Sequence, residues 1–204
     1  MTLATHVDIA LDRPVPNGGL FRFDVERYLE MVRLGLVTKD DRVELLEGLV
    51  VTKMGKNPPH VVVTRRIFAS LASAVPSGWF VAKEDPIRLT DSVPEPDCAV
   101  LRGTVEDYVA RLAGPADVAL VVEVADASLS RDRDVKQRAY AHDEIPIYWL
   151  ANLVAGRFEV YSDPSGPAEA PGYRSCVFYG PGDELPVVIA GQEVARLAVK
   201  NLLS

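Results

Sequence analysis

The sequence predicts an α/β (α+β) fold, and three observations predict it. Residues 117–152 read as a strand–helix–strand unit. An apolar, mostly β-branched run (118–124) is followed by a polar turn with Asp126, Ser128 and Ser130. A basic helical segment comes next, then a second apolar run with Ile147, Tyr148, Trp149 and Leu150. Residues 42–54 carry two apolar runs around Glu47-Gly48, a hairpin signal. The C-terminal third supplies further strands, 157–161, 173–179 and 185–189, separated by a Pro- and Gly-rich loop (163–172) and by Gly180-Pro181-Gly182.

Composition bounds the rest. The chain has 204 residues and 22.3 kDa, with 48% hydrophobic and 25% charged residues, which suits one domain with a sizeable core. No composition break or repeat divides it, so residues 23–204 are expected to form a single domain behind an N-terminal arm, 1–22. The arm holds Pro14, Pro16, Asn17, Gly18 and Gly19. Neither a signal peptide nor a run of ~20 apolar residues is found, so no membrane span is expected and a bacterial-type cytoplasmic protein is. Cys98 and Cys176 form no CxxC pair and read as small core residues of a reducing compartment. The net charge of -7 weighs against tight non-specific nucleic-acid binding but leaves room for a local basic patch.

The elements follow in order. Residues 24–34 predict a helix: Asp24 can cap it, Tyr28, Leu29, Val32 and Leu36 recur at helical spacing, and Gly35 stops it. In the hairpin, alternation sets Glu44 and Leu46 on one face, and Glu44 as a water-facing edge residue is the bland reading. Asn57-Pro58-Pro59 precedes a helix over 60–75 with the stripe Val63, Ile67, Leu71 and Val75. His60 in its first turn reads as a helix-start residue or a ligand. Residues 79–89 predict a strand. After Pro94 and Pro96, Asp97 opens a short strand in which it shares a face with Ala99. A short helix is expected over 104–112. The apolar tail 197–203 closes the domain.

The chemistry lies in three acids within strand contexts: Glu44, Asp97 and Glu123. Glu123 interrupts the most apolar run of the chain, where a charge is costly unless paired or bound to a metal. Alternation puts Leu120, Val122 and Val124 on one face of that strand and Val121, Glu123 and Ala125 on the other. If the strands bearing Asp97 and Glu123 are neighbours, both carboxylates reach one face, where they repel unless protonated or bridged by a cation. Oxygen ligands with open water positions suit Mg²⁺ or Mn²⁺, and the Val124 carbonyl offers a further oxygen. In the following helix Asp132, Lys136 and Tyr140 are four residues apart and share a face. A right-handed crossover lays that face against the sheet, bringing Lys136 near the metal or an attacking water. The bland alternatives are two acids satisfied by Arg or backbone N–H groups, a Lys136 that pairs with Asp132, and a Tyr140 that packs. Arg131, Arg133 and Arg138 are candidates for phosphate contact, or simply a solvated helix face.

The ordered series Glu47-Gly48…Val50-Val51, His60, Pro96-Asp97, Glu123-Val124, Ser128, Asp132, Lys136 and Tyr140, Ile145-Pro146 and Tyr148-Trp149 resembles the Uma-two family of restriction endonuclease-like proteins, within the PD-(D/E)xK nuclease superfamily. The likeness spans roughly residues 24–161. It implies a restriction endonuclease-like core, a mixed β-sheet flanked by helices, with the C-terminal strands as extras. It implies a Mg²⁺-dependent endonuclease acting on DNA, with metal on Asp97 and Glu123, Glu44 as a helper acid, and Lys136 as the catalytic lysine. The superfamily's lysine stands two residues after the Glu, where this chain has Ala125; in the family it has migrated to the helix. The chain departs from the family at Asp143-Glu144, where a Gly is usual, at Ile147 and at Asn152. The rival expectation is a nuclease fold with weak or lost activity, acting as a binding or oligomerising module; hydrolysis of a small phosphate ester is a third. A homodimer is plausible because the extra strands need covering.

Overall fold

A run of residues with one charge among seven apolar neighbours forms the middle of the structure. In the computed structural model, which describes residues 19–203, β5 (Val118–Ala125) is buried along its whole length. Six strands make the main sheet: β3 (Trp79–Ala82), β4 (Cys98–Arg102), β5, β6 (Ile147–Asn152), β7 (Arg157–Pro164) and β8 (Tyr173–Tyr179), side by side in that order. The β5–β6 pair is parallel and all other pairs are antiparallel, so the sheet is mixed. A parallel pair needs a crossover between its strands. Here it consists of α3 (Leu129–Arg131), a π-helical turn (Asp132–Lys136) and α4 (Gln137–His142).

Alternation along β5 divides the core as the sequence predicts. Leu120, Val122 and Val124 face a cluster with Val63, Ile67 and Leu71 of α2 (Pro58–Ala74). That cluster also takes in Leu185, Val187 and Ile189 of β9 (Glu184–Ile189), and Val199 and Leu202 of α5 (Val199–Leu203). Val121 and Ala125 face the second cluster with Ala139, Tyr140 and Tyr148. A third, smaller cluster joins Val25 and Tyr28 of α1 (Val25–Arg33) to Leu45 of β1 (Val43–Leu46) and to Val93. The hairpin closes with β2 (Leu49–Thr52). Its turn residues Glu47 and Gly48 both have positive φ (48° and 76°), as a two-residue type I′ turn requires.

Several sequence expectations need correction. The helix expected over 24–34 is Val25–Arg33 with Asp24 as its cap, accepting the Arg27 N–H at 2.7 Å; Val32 and Leu36 are exposed rather than part of a buried stripe. The strand expected over 79–89 ends at Ala82. Beyond it Ile87 and Leu89 are buried, yet their N–H groups bond the carbonyls of Pro94 and Ser92, so the segment folds back on itself. The helix expected over 104–112 is one 3₁₀ turn, Val105–Tyr108. Val105 and Val109 are exposed there, so no apolar stripe anchors a longer helix. Cys98 is core, but Cys176 lies exposed on the edge strand β8. The strand β10 (Gln192–Ala198), paired antiparallel with β9, begins before the stretch read as a closing tail. Most of the expected arm, residues 1–18, lies outside the described residues. Among those described, no helix is long and apolar enough to cross a membrane.

Candidate active site

Two adjacent strands deliver the two central acids. β4 pairs with β5 so that Cys98 stands opposite Val122, which brings Asp97, just ahead of β4, beside the Glu123-Val124 end of β5. The Val124 N–H donates to Asp97 Oδ2 at 2.9 Å, pinning that carboxylate to the end of the ladder. His60, in the first turn of α2, brings Nε2 to 3.2 Å from the same oxygen. Lys56, from the segment between β2 and α2, places Nζ 2.9 Å from Oδ1. Burial raises the Asp97 carboxyl; the His60 and Lys56 contacts overcome it and hold Asp97 down at about 2. Asp97 is an anion.

Glu123 has the opposite balance. It is fully buried on the helix-facing side of β5, and its Oε1 accepts from Lys136 Nζ at 2.9 Å and from the Tyr140 hydroxyl at 2.7 Å. The π-helical turn ends at Lys136, one turn before Tyr140, and the two side chains converge on a single oxygen. Such turns widen a helix by one residue and recur at functional sites. Lys136 Nζ also lies 3.4 Å from Glu44 Oε2, which accepts the Glu95 N–H at 3.2 Å. Glu44 is thus buried within the site and does not face water, as the bland reading of its strand had it. Asp132 is buried as well and accepts from the Ser128 hydroxyl.

Three carboxylates therefore crowd one ammonium. Desolvation is the largest influence on Glu123; Lys136 opposes it, but Asp132, Asp97 and Glu44 add to it, and the carboxyl is pushed up to about 8. Asp132 moves up for the same leading reason. Burial acts to neutralise Lys136, yet Glu123, Glu44 and Asp132 outweigh it and keep the ammonium charged. These groups open onto one cavity of about 250 Å³, which Glu44, His60, Asp97, Glu123, Val124, Asp132 and Lys136 all line. Its mouth carries the cations Lys39, Arg42, Lys53 and Lys56 and the acids Glu84, Glu95 and Asp126.

Of the site residues singled out from the sequence, Asp97, Glu123, Val124, Lys136, Glu44 and His60 line one cavity, and Tyr140 is fully buried beside it, donating to Glu123. Lys56 was missed, and Asp132 was read only as a partner for Lys136. Asp132 had a visible signal, since it shares the i, i+4 spacing with Lys136. Lys56 lies in a coil with no periodicity. The three arginines of the crossover are engaged within the chain: Arg131 donates to the Thr52 carbonyl at 2.6 Å, Arg133 pairs with Glu159, and Arg138 pairs with Glu47. Among the described residues, no group of three or more His, Cys, Asp or Glu side chains is arranged to hold a metal ion.

The model of the Uma2 family, described as "Putative restriction endonuclease", matches residues 25–200. The chain belongs to this family. Among solved structures, a nuclease-fold chain from Anabaena variabilis, titled "a putative nuclease belonging to DUF820", matches with a TM-score of 0.67 at 14% identity. The match covers 89% of this chain and 97% of the other. At that identity the likeness speaks for the fold alone: a mixed α/β domain with a central sheet flanked by helices. No curated protein matches. Glu144, where the resemblance implies a Gly, takes the left-handed conformation (φ 56°). Asn152 accepts the Ala155 N–H at 2.9 Å and donates to Glu159 at 2.8 Å, so it caps the β6–β7 turn.

Proposed function

We propose that this Uma2 protein is a metal-dependent endonuclease that hydrolyses DNA phosphodiester bonds at the Asp97–Glu123–Lys136 cavity. One observation carries the reading: Asp97 and Glu123 from neighbouring strands share a cavity with a charged lysine, and its buried carboxylates outnumber that ammonium. A divalent cation suits this donor set. Glu123 retains a proton to about 8 chiefly because it is buried, and Asp132, Asp97 and Glu44 add to that; a cation between the carboxylates would offset both the burial and the repulsion that a proton otherwise neutralises. Two carboxylates and one carbonyl leave positions for water, which accords with Mg²⁺ or Mn²⁺ rather than a closed all-protein cage.

Asp97, Glu123 and the Val124 carbonyl would hold the cation. When bound, it supplies a Lewis acid for the phosphoryl oxygen and acidifies water. The remaining work falls to the chain. His60 and the Val124 N–H fix the Asp97 rotamer. Tyr140 holds Glu123 by the oxygen that Lys136 shares. The Lys136 ammonium, kept charged by Glu123, Glu44 and Asp132 against the effect of burial, orients the attacking water and offsets the negative charge that grows on the phosphate. Glu44 fixes the direction in which that ammonium points.

The test is cleavage of plasmid and linear duplex DNA with Mg²⁺ or Mn²⁺ by the wild type and by Asp97→Asn, Glu123→Gln and Lys136→Met. The wild type should cut, and Asp97→Asn should be slowed by at least about 100-fold, since even outer partners of metal ligands are worth roughly 10–100-fold. A wild type that leaves DNA intact, or an Asp97→Asn variant that cuts as fast, overturns the proposal.

A further inference from the structure

The five residues 53–57 join β2 to α2 and all border the cavity. Both ends of this segment are tied down. Thr52 accepts from Arg131, and Asn57 caps α2 by accepting the His60 N–H while donating to Asp126 across the cavity mouth. Between these ties Lys56 reaches inward, with Nζ 2.9 Å from Asp97 Oδ1 and 3.1 Å from Glu84 Oε1. Its side chain is 37% exposed while that of Asp97 is 5% exposed, so a solvent-facing lysine supplies the counter-charge to a buried carboxylate.

The two oxygens of Asp97 differ in what it takes to release them. Oδ2 accepts from a backbone N–H fixed in the sheet and faces a buried imidazole. Oδ1 is engaged by Lys56, a four-carbon stem free to swing into solvent. A cation arriving at Asp97 meets least resistance at Oδ1, and an ammonium left at that oxygen would repel it. Once displaced, Lys56 stands at the mouth beside Lys53 and Arg42 with one acid fewer to pair with.

We propose that Lys56 is an intramolecular counter-ion that stands in for the divalent cation at Asp97 and, once displaced by it, becomes a positioning residue for the DNA phosphate backbone. This deepens the endonuclease reading and rests on it. It makes Lys56 a competitor of the cation and a helper of the substrate, two opposite effects that a purely structural role would not produce.

Calorimetric titration of Mn²⁺ into metal-free protein tests the first half, with wild type, Lys56→Met, Lys56→Gln and Lys56→Arg. Thermal melts confirm that each variant folds. A partly exposed ion pair of this kind holds a competitor off by roughly fivefold in affinity. The two neutral variants should therefore bind Mn²⁺ about fivefold more tightly than wild type, and Lys56→Arg should match wild type. Neutral variants that bind no more tightly overturn the proposal and leave the metal site standing. Absence of Mn²⁺ binding in wild type and variants alike overturns both. The second half is read from a fluorescent duplex oligonucleotide in Ca²⁺ at several salt concentrations. Lys56→Met should lower the slope of log affinity against log salt by about one, and Lys56→Arg should not. An unchanged slope in Lys56→Met, or no duplex binding by wild type, refutes the phosphate role.

Discussion

Glu123→Gln in the metal-free protein offers the most direct view of how the site is held. In the folded chain the Glu123 carboxyl is pushed up to about 8, against an ordinary value of 4.5. Between those two values the folded protein holds a proton that the unfolded chain has released. Folding stability must therefore fall as pH rises from about 4.5 to about 8, and level off above. Each tenfold change in proton affinity is worth about 1.4 kcal/mol, so the whole gap sets an upper bound of about 5 kcal/mol. The neighbouring Asp132, also moved up, adds in the same direction. Asp97 titrates below this window and Lys136 above it. Glutamine keeps the oxygen that Lys136 and Tyr140 approach and removes the ionisation. Urea unfolding in chelator at pH 5, 6.5 and 8 should show wild type losing several kcal/mol across the range, with Glu123→Gln nearly level and the more stable of the two at pH 8. Saturating Mn²⁺ should flatten the wild-type profile. A wild type as stable at pH 8 as at pH 5, or a Glu123→Gln variant with the same slope, would refute the account of a carboxyl held protonated by burial and by the acids around it.

Tyr140→Phe removes one donor from Glu123 but keeps the ring packed at a tilt against Tyr148; cleavage should drop less than in Lys136→Met, and denaturant unfolding should show a loss of about 1 kcal/mol. Arg133→Ala strips buried Glu159 of its bidentate partner and leaves it Asn152, Tyr161 and the Arg157 guanidinium at 3.8 Å; chemical denaturation should register a loss of about 1–3 kcal/mol while Mn²⁺ affinity stays the same. Gly48→Ala puts a Cβ 2.8 Å from the Arg22 Cβ at a φ of 76°; a loss of about 1–3 kcal/mol by thermal melting is expected, and an unchanged melting temperature would mean the turn relaxes freely.

What could be read from the sequence was what local periodicity encodes. The alternation of β5, the stripe of α2 and the Glu47-Gly48 turn each depend on neighbours within a few residues, and each is found where expected. The site's acids were legible because charges in apolar strands must be compensated. The compensation itself was not legible where it comes from irregular backbone. Lys56 and the folded-back segment between Ala82 and Cys98 owe their positions to contacts with distant parts of the chain, as when Val93 donates to the Leu45 carbonyl and Arg88 to that of Ala113. Ile87 and Leu89 were apolar enough to suggest a strand, but flanking prolines and pairing with other loops decided otherwise. Cys176 misled because small apolar character says nothing of sheet edge against sheet centre.

The lysine of this site rides on a helix while its acid rides on a strand. Had the ammonium been carried on β5 at Ala125, acid and base would move as one rigid piece, their spacing dictated by the pleat. Here the Lys136–Glu123 distance is set by how closely the crossover lies on the sheet, over the small residue Ala139 and the ring of Tyr140. The separation is therefore adjustable. Substitutions beneath the helix and away from the cavity can lengthen or shorten it, so the activity proposed for this site would be open to graded adjustment, which a strand-borne lysine would not allow.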